Sequence, residues 1–189
     1  MDDRERILTA ASRRFADYGY AKTTMAEIAR DAQMSAGNLY RHFASKEAIA
    51  VAAIERQLAT KLEVGIRAAA AEQDPLHALK AFLLARLRQG HAVFAGTRHL
   101  FDMMRLMNER HRNLLLAWEK RVIDALAEIL ERGMVQQRFR SIDAQRTAYD
   151  IHQATMRYNH PVALRNNPLS ILEADLERLI DLLYTGLKC

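Results

Sequence analysis

One cysteine, three prolines and seven glycines leave this 189-residue chain with few cross-links or breaks. Cys189 stands alone, so no disulfide can form within the chain, and a reducing cytoplasm is the expected location. So few turn formers argue against an all-β fold, which needs a turn every few residues. Runs of about 20 apolar residues are missing, and no membrane-spanning helix or membrane partner is expected. The opening MDDRERILTAASRRF is charged and lacks the apolar stretch of a signal peptide, so no secretory leader is expected. No G-x-S-x-G, P-loop or H-E-x-x-H motif occurs, nor a cysteine placed as a nucleophile, which removes the usual machinery of a small enzyme. The seven histidines are not spaced as a metal site. His99 and Asp102 share a helical turn, but zinc needs more ligands than that. Neither a metal nor another cofactor is expected.

Half the residues are apolar and 27% are charged, the profile of a globular chain. Ala, Leu, Arg and Glu dominate, and all four favour helix. The net charge of +5 permits nucleic-acid binding without marking where it occurs. Residues 1–60 hold nine basic and eight acidic residues against nineteen and fifteen in the remainder, so local pattern must locate any DNA-binding segment.

That pattern starts at once. Ile7, Leu8, Ala11 and Phe15 line one face of a helix over 3–18, which Gly19 ends. Thr24-Met25-Ala26-Glu27 reads as a capping box opening a short helix to about Ala32. Gln33-Met34-Ser35 forms a turn, and Ser35 caps a third helix running to Phe43. Ser45 then caps a long helix from Lys46, about 28 residues or about 42 Å, read as the connector between two domains. Asp74-Pro75 opens the next helix, to about Ala95. Gly96-Thr97 reads as a break. Helices follow at 98–108, from about Glu109 or Arg110 to Gly133, and from Ser141-Ile142-Asp143 to about Tyr158. Pro161 and Asn166-Asn167-Pro168 mark the longest expected loop. Ser170-Ile171-Leu172-Glu173 reads as a second capping box, opening a last helix that aligns Leu172, Leu176, Leu179, Leu183 and Leu187.

Two short helices joined by a tight turn, packed through Ile28, Ala29, Leu39 and Phe43 onto Leu8 and Phe15, make a helix-turn-helix. The second helix would present Ala36, Gly37, Asn38, Tyr40, Arg41 and His42 outward. Ala36 and Gly37 are small enough for close approach to a major groove. Asn38 suits a base edge, best an adenine, and Arg41 a guanine or a phosphate. Tyr40, His42 and Lys46 can donate to phosphates, which fix position rather than sequence. Thr24 and Ser35 begin helices whose free N–H groups also suit phosphates. Packing within the small domain is the alternative for Tyr40 and His42, and Phe43 is read as core.

The Thr-Thr pair before the first short helix, Ile28-Ala29, Ser35-x-Gly37-x-x-Tyr40-x-His42-Phe43 and Lys46-Glu47 closely resemble the signature of TetR/AcrR regulators. Two positions depart from it. Met34 stands where Val is usual, and Gln33 stands where Gly is usual, which forces a residue with a side chain into the turn. The resemblance implies an all-α chain: a three-helix DNA-binding domain at 1–50, and a helical ligand-binding and dimerisation domain at 51–189. It implies a homodimer on a near-palindromic double-stranded operator, most simply a repressor released by a small molecule, with the long connector as lever. A ligand-independent DNA-binding protein is the rival reading. No motif names the effector, which is expected to be apolar or amphipathic. Phe94, Met103, Met104, Met107, Trp118, Tyr149, His152 and Met156 are candidate lining residues, with core packing the alternative for each. Arg98, Arg105, Arg110, Arg112 and Arg121 read as a solvated face. Leu172, Leu176, Leu179 and Leu183, with the helix at 143–158, are the candidate dimer surface, or else part of the chain's own core.

Overall fold

A computed structural model describes residues 2–95 and 99–188, apart from the side chains of 100–102. The expected break at Gly96-Thr97, Arg98, Cys189 and the Asp102 side chain lie outside the described residues. Among the described residues the chain is helical: α1 Asp3–Tyr18, α2 Met25–Asp31, α3 Ala36–His42, α4 Lys46–Ala70, α5 Pro75–Phe94, α6 Leu100–Arg110, α7 Arg112–Val135, α8 Ala144–Ala154, α9 Pro161–Asn166 and α10 Leu169–Leu187. A 3-10 turn, Met156–Asn159, lies between α8 and α9. The helices divide into two compact units. The first is Met1–Ala59 with Gly96–Leu115, and the second is Thr60–Ala95 with Leu116–Cys189. An expected boundary at residue 50 therefore falls within α4, and α6 belongs with the N-terminal helices.

In the first unit, Ile7, Leu8, Ala11 and Phe15 of α1 close over Ile28 and Ala29 of α2, Leu39 of α3, Phe43, and Ile49 of α4. Leu106 of α6 is buried in the same cluster, with Met103 packed against it. Each fully buried Ile, Leu or Phe side chain among these contributes about 1.5–3 kcal/mol. The helix ends follow local chemistry. Thr24 and Glu27 form the full reciprocal capping box of α2. Ser35 Oγ accepts from the Asn38 N–H at 3.2 Å, and Ser45 Oγ from the Ala48 N–H at 3.1 Å. α2 ends in a Schellman motif: the Met34 N–H reaches the Ala29 carbonyl and the Gln33 N–H that of Arg30, both at 3.0 Å, with Gln33 at φ 56°.

The second unit is built around α5. Its Leu79, Phe82 and Leu87 meet Leu126 and Leu130 of α7, Ile151 of α8, Leu164 of α9, and Leu172, Leu176 and Ile180 of α10. Asp74 caps α5 by accepting from the N–H groups of Leu76 and His77. Two expectations fail here. The stretch after Pro161 is not a loop but α9, because a proline at the first helical position is set for helix and lacks only an N–H that would go unused. Ser170 and Glu173 do not box α10, which starts at Leu169 behind Pro168 with no side-chain cap. Glu173 instead accepts from Arg88 Nε of α5 at 2.6 Å.

Candidate nucleic-acid interface and buried polar centre

The second helix of the helix-turn-helix, α3, is one-sided. Leu39 is fully buried and Phe43 nearly so, while Ser35, Ala36, Gly37, Tyr40, Arg41 and His42 are exposed and Asn38 is half-buried. Thr24, at the start of α2, is exposed too. The apolar anchors thus fix the helix and leave a contiguous polar face with Arg41 and His42 at its end. Two of these side chains lean on α1: Asn38 Nδ2 donates to Asp3 Oδ2 at 3.2 Å, and His42 Nε2 lies 3.7 Å from the same oxygen.

Lys46, expected to donate to a phosphate, is engaged within the protein. Its ammonium donates to the carbonyls of Tyr20 and Thr23, each at 2.8 Å, and lies 4.4 Å from the centre of the Tyr20 ring. Partial burial pushes its pKa down. It ties α4 to the loop that presents the start of α2. Two arginines of α1 also went unnoticed in the sequence. Arg14, 9% exposed, donates to Asp31 at 2.6 Å and reaches Glu27 at 3.1 Å. The hydrogen bond to Asp31 chiefly holds the guanidinium's pKa up, and Asp31 is lowered in return. Arg6 donates to the carbonyls of Ala32 and Gln33 at 2.6 and 3.0 Å, securing the turn between α2 and α3.

The eight expected pocket residues divide between the two units. Met103, Met104 and Met107 belong to the first unit, where Met107 is 3% exposed. Phe94, Trp118, Tyr149, His152 and Met156 belong to the second. Phe94 packs on the core, Arg121 stacks over the Trp118 ring at 4.5 Å, and Tyr149 and Met156 are exposed. His152 alone is a buried polar group, its Nε2 3.3 Å from Glu119 Oε1. An open cleft of about 410 Å³ beside α9, lined by Arg157, His160, Val162, Ala163, Asn166 and Asn167, includes none of the eight. Of the expected dimer residues, Leu172 and Leu176 are buried in the chain's own core, while Leu179 and Leu183 are only partly covered. α10 instead exposes Ile171 and Leu182.

The sequence pattern did not single out the most unusual polar groups of the second unit, Lys61 of α4 and Arg86 of α5. They are 9% and 6% exposed. Gly65 leaves room for the Arg86 stem, whose Cγ lies 2.8 Å from where a Cβ on Gly65 would stand. Gly90 does the same for Lys61, whose Nζ lies 2.9 Å from the corresponding point. Burial pushes Lys61 down to about 7, helped by the charge of Arg86, and pushes Arg86 down to about 10. His152 is also lowered, first by burial and then by Arg86.

Comparison with known proteins agrees with this architecture. Residues 7–53 match the model of bacterial regulatory proteins of the tetR family, and residues 75–180 match a tetracyclin repressor-like C-terminal domain. The A-factor receptor protein of Streptomyces griseus is 50% identical over 54 residues, which cover 29% of this chain and only 20% of that protein. The HTH-type transcriptional regulator TtgR of Pseudomonas putida is 28% identical over 159 residues, 78% of this chain and 74% of that one. A transcriptional regulator from Cytophaga hutchinsonii shares the fold, with a TM-score of 0.74 at 20% identity over 98% of both chains. A helix-turn-helix at the first match and a helical unit at the second place the chain in the TetR family of DNA-binding transcriptional regulators, which are not enzymes.

Proposed function

We propose that this regulator is a cytoplasmic homodimer that represses from a near-palindromic operator and is released by a small molecule bound in its second unit. The observation that carries the DNA-reading part is the one-sided α3, anchored by Leu39 and Phe43 and bare over Gly37, Tyr40 and Arg41. In this reading Ala36 and Gly37 admit the backbone to the groove, and Asn38 and Arg41 read base edges. Thr24, Ser35, Tyr40 and His42 hold phosphates. Lys46 acts as a positioning residue, through the loop carbonyls it binds.

One such helix reads only a few base pairs, so specificity needs a second copy one helical turn of DNA away. Ile171 and Leu182, exposed on α10 beside the partly covered Leu179 and Leu183, support a dimer surface there. Selection of sites from a randomised duplex pool tests the reading. Asn38→Ala and Arg41→Ala are each expected to relax preference at one position per half-site, by about 1–3 kcal/mol. Tyr40→Phe is expected to weaken all sequences alike. Unchanged preference in both α3 variants would remove α3 as the reading helix.

A further inference from the structure

We propose that the effector is an organic acid, whose carboxylate sits against Arg86 and Lys61 while its apolar body lies among the neighbouring core side chains. The inference rests on the reading of the chain as an effector-released regulator and adds the chemical class of that effector. Three groups carry it, from three different helices. Arg86 Nε and Nη1 are buried with no hydrogen-bond partner, and so is His152 Nδ1. Lys61 Nζ lies against the backbone of Gly90, beside a Leu164 methyl. The three sense one another's charge: Arg86 acts on both Lys61 and His152, and Lys61 acts on His152.

Among the described residues no carboxylate forms an ion pair with Lys61 or Arg86. Glu119 is engaged with His152 and with Gln153 Nε2, at 3.3 and 3.0 Å. A buried cation without a counter-charge is strongly unfavourable, and two that repel each other are worse. Arginine keeps its proton over the ordinary pH range, so Arg86 cannot relieve the cost by neutralising. The physical remedy is an anion from outside. A carboxylate suits donors of this number, since guanidinium and ammonium protons aimed at one oxyanion make short, charge-assisted hydrogen bonds. The neighbours set the rest of the molecule: Phe82, whose ring centre is 5.3 Å from Arg86 Cζ, and Leu164 offer only hydrocarbon. An apolar wall with a few convergent polar groups is the usual make-up of a small-molecule site. The glycines at 65 and 90 are part of the construction, because any side chain there would displace one of the two cations.

The test uses the full-length protein and a panel of straight-chain carboxylates from acetate to dodecanoate, with benzoate and phenylacetate, each beside its primary amide. Thermal unfolding and calorimetry read binding, and operator affinity is read on the same samples. At least one carboxylate is expected to bind tenfold or more tightly than its amide. Arg86→Met and Lys61→Met are each expected to cut that affinity at least tenfold. Both variants, free of ligand, are expected to be folded and to melt no lower than the parent. Equal binding of acids and amides, undiminished affinity in the variants, or a lower ligand-free melting temperature for Arg86→Met would each overturn the proposal. Operator release by an amide, with no carboxylate bound, overturns the acid site and leaves the repressor reading standing. A carboxylate that binds through Arg86 without changing operator affinity keeps the site and removes the release mechanism.

Discussion

Arg14 and Arg86 are buried to nearly the same degree, yet their surroundings are opposite. Arg14 meets Asp31 and Glu27, and its charge is fully answered. Arg86 meets a phenyl ring, a glycine and the field of a second cation. The difference has a measurable consequence at Lys61. Its pKa falls from 10.5 to about 7 through burial and then through Arg86. Between about pH 7 and 10.5 the unfolded chain therefore holds more protons than the folded one, and stability rises with pH across that window. Below about pH 7 the whole penalty, on the order of several kcal/mol, remains in force. The charged and titratable groups facing Lys61 are Arg86 and His152, with Glu119 beyond His152. Thermal unfolding from about pH 6.5 to about 9.5, which spans roughly the lower two-thirds of that window, is expected to show the parent gaining stability relative to Lys61→Met. Parallel pH profiles would contradict a depressed Lys61. Neither cation announced itself in the sequence, because lysine and arginine on a helix read as solvated. The available signal was register: Arg86 follows Leu79, Phe82 and Leu83 on the apolar stripe of α5, where an arginine has no ordinary reason to be.

Helix boundaries set by capping chemistry were legible; those set by packing were not. Thr24, Ser35, Ser45 and Asp74 all cap as their sequences predict, and Asp143 caps from within the Ser141-Ile142-Asp143 opening, because a hydroxyl or carboxylate three residues before an N–H is a local arrangement. The start of α10 has no side-chain cap and buries Leu172 in the second unit's core, which no window of sequence records. The α7 terminus shows both cases. It closes with the Arg138 N–H on the Gly133 carbonyl and Gln137 at φ 55°, a second Schellman motif with glutamine where glycine is favoured. Gly133 itself is needed one turn earlier. A Cβ there would stand 2.0 Å from Phe139 Cδ2, and Phe139 is 2% exposed with its ring edge-on to Tyr184 at 6.4 Å. Gly133→Ala must displace that ring and is expected to destabilise the protein by about 1–3 kcal/mol. Urea unfolding reads the loss, and Phe139→Leu in the same chain is expected to recover part of it. Full stability in the single variant would mean that the end of α7 yields without cost.

Fold class was legible from composition and the exposed face of α3 from the first 50 residues, whereas the two roles of the α10 leucines were only half legible. The leucine stripe of α10 serves two purposes: Leu172, Leu176 and Leu187 fill the chain's own core, and Leu182, 70% exposed, lies on another side. Leu182→Asp adds a charge where solvent already reaches, so the monomer is expected to fold normally and the dimer to fail. Light scattering should then report half the mass, with operator affinity lost. An unchanged dimer would move the interface off α10. The membership of the first unit carries a different consequence. Leu106 and Met103 of α6 complete a cluster begun by Ile7 and Leu8, yet 60–95 between them belongs to the other unit. During synthesis at about 5–20 residues per second, the helix-turn-helix leaves the ribosome a few seconds before the helix that finishes its core. A nascent chain halted within α5 would carry every side chain proposed to read bases on an unfinished support, so half-made copies are expected to compete poorly with the finished regulator for DNA.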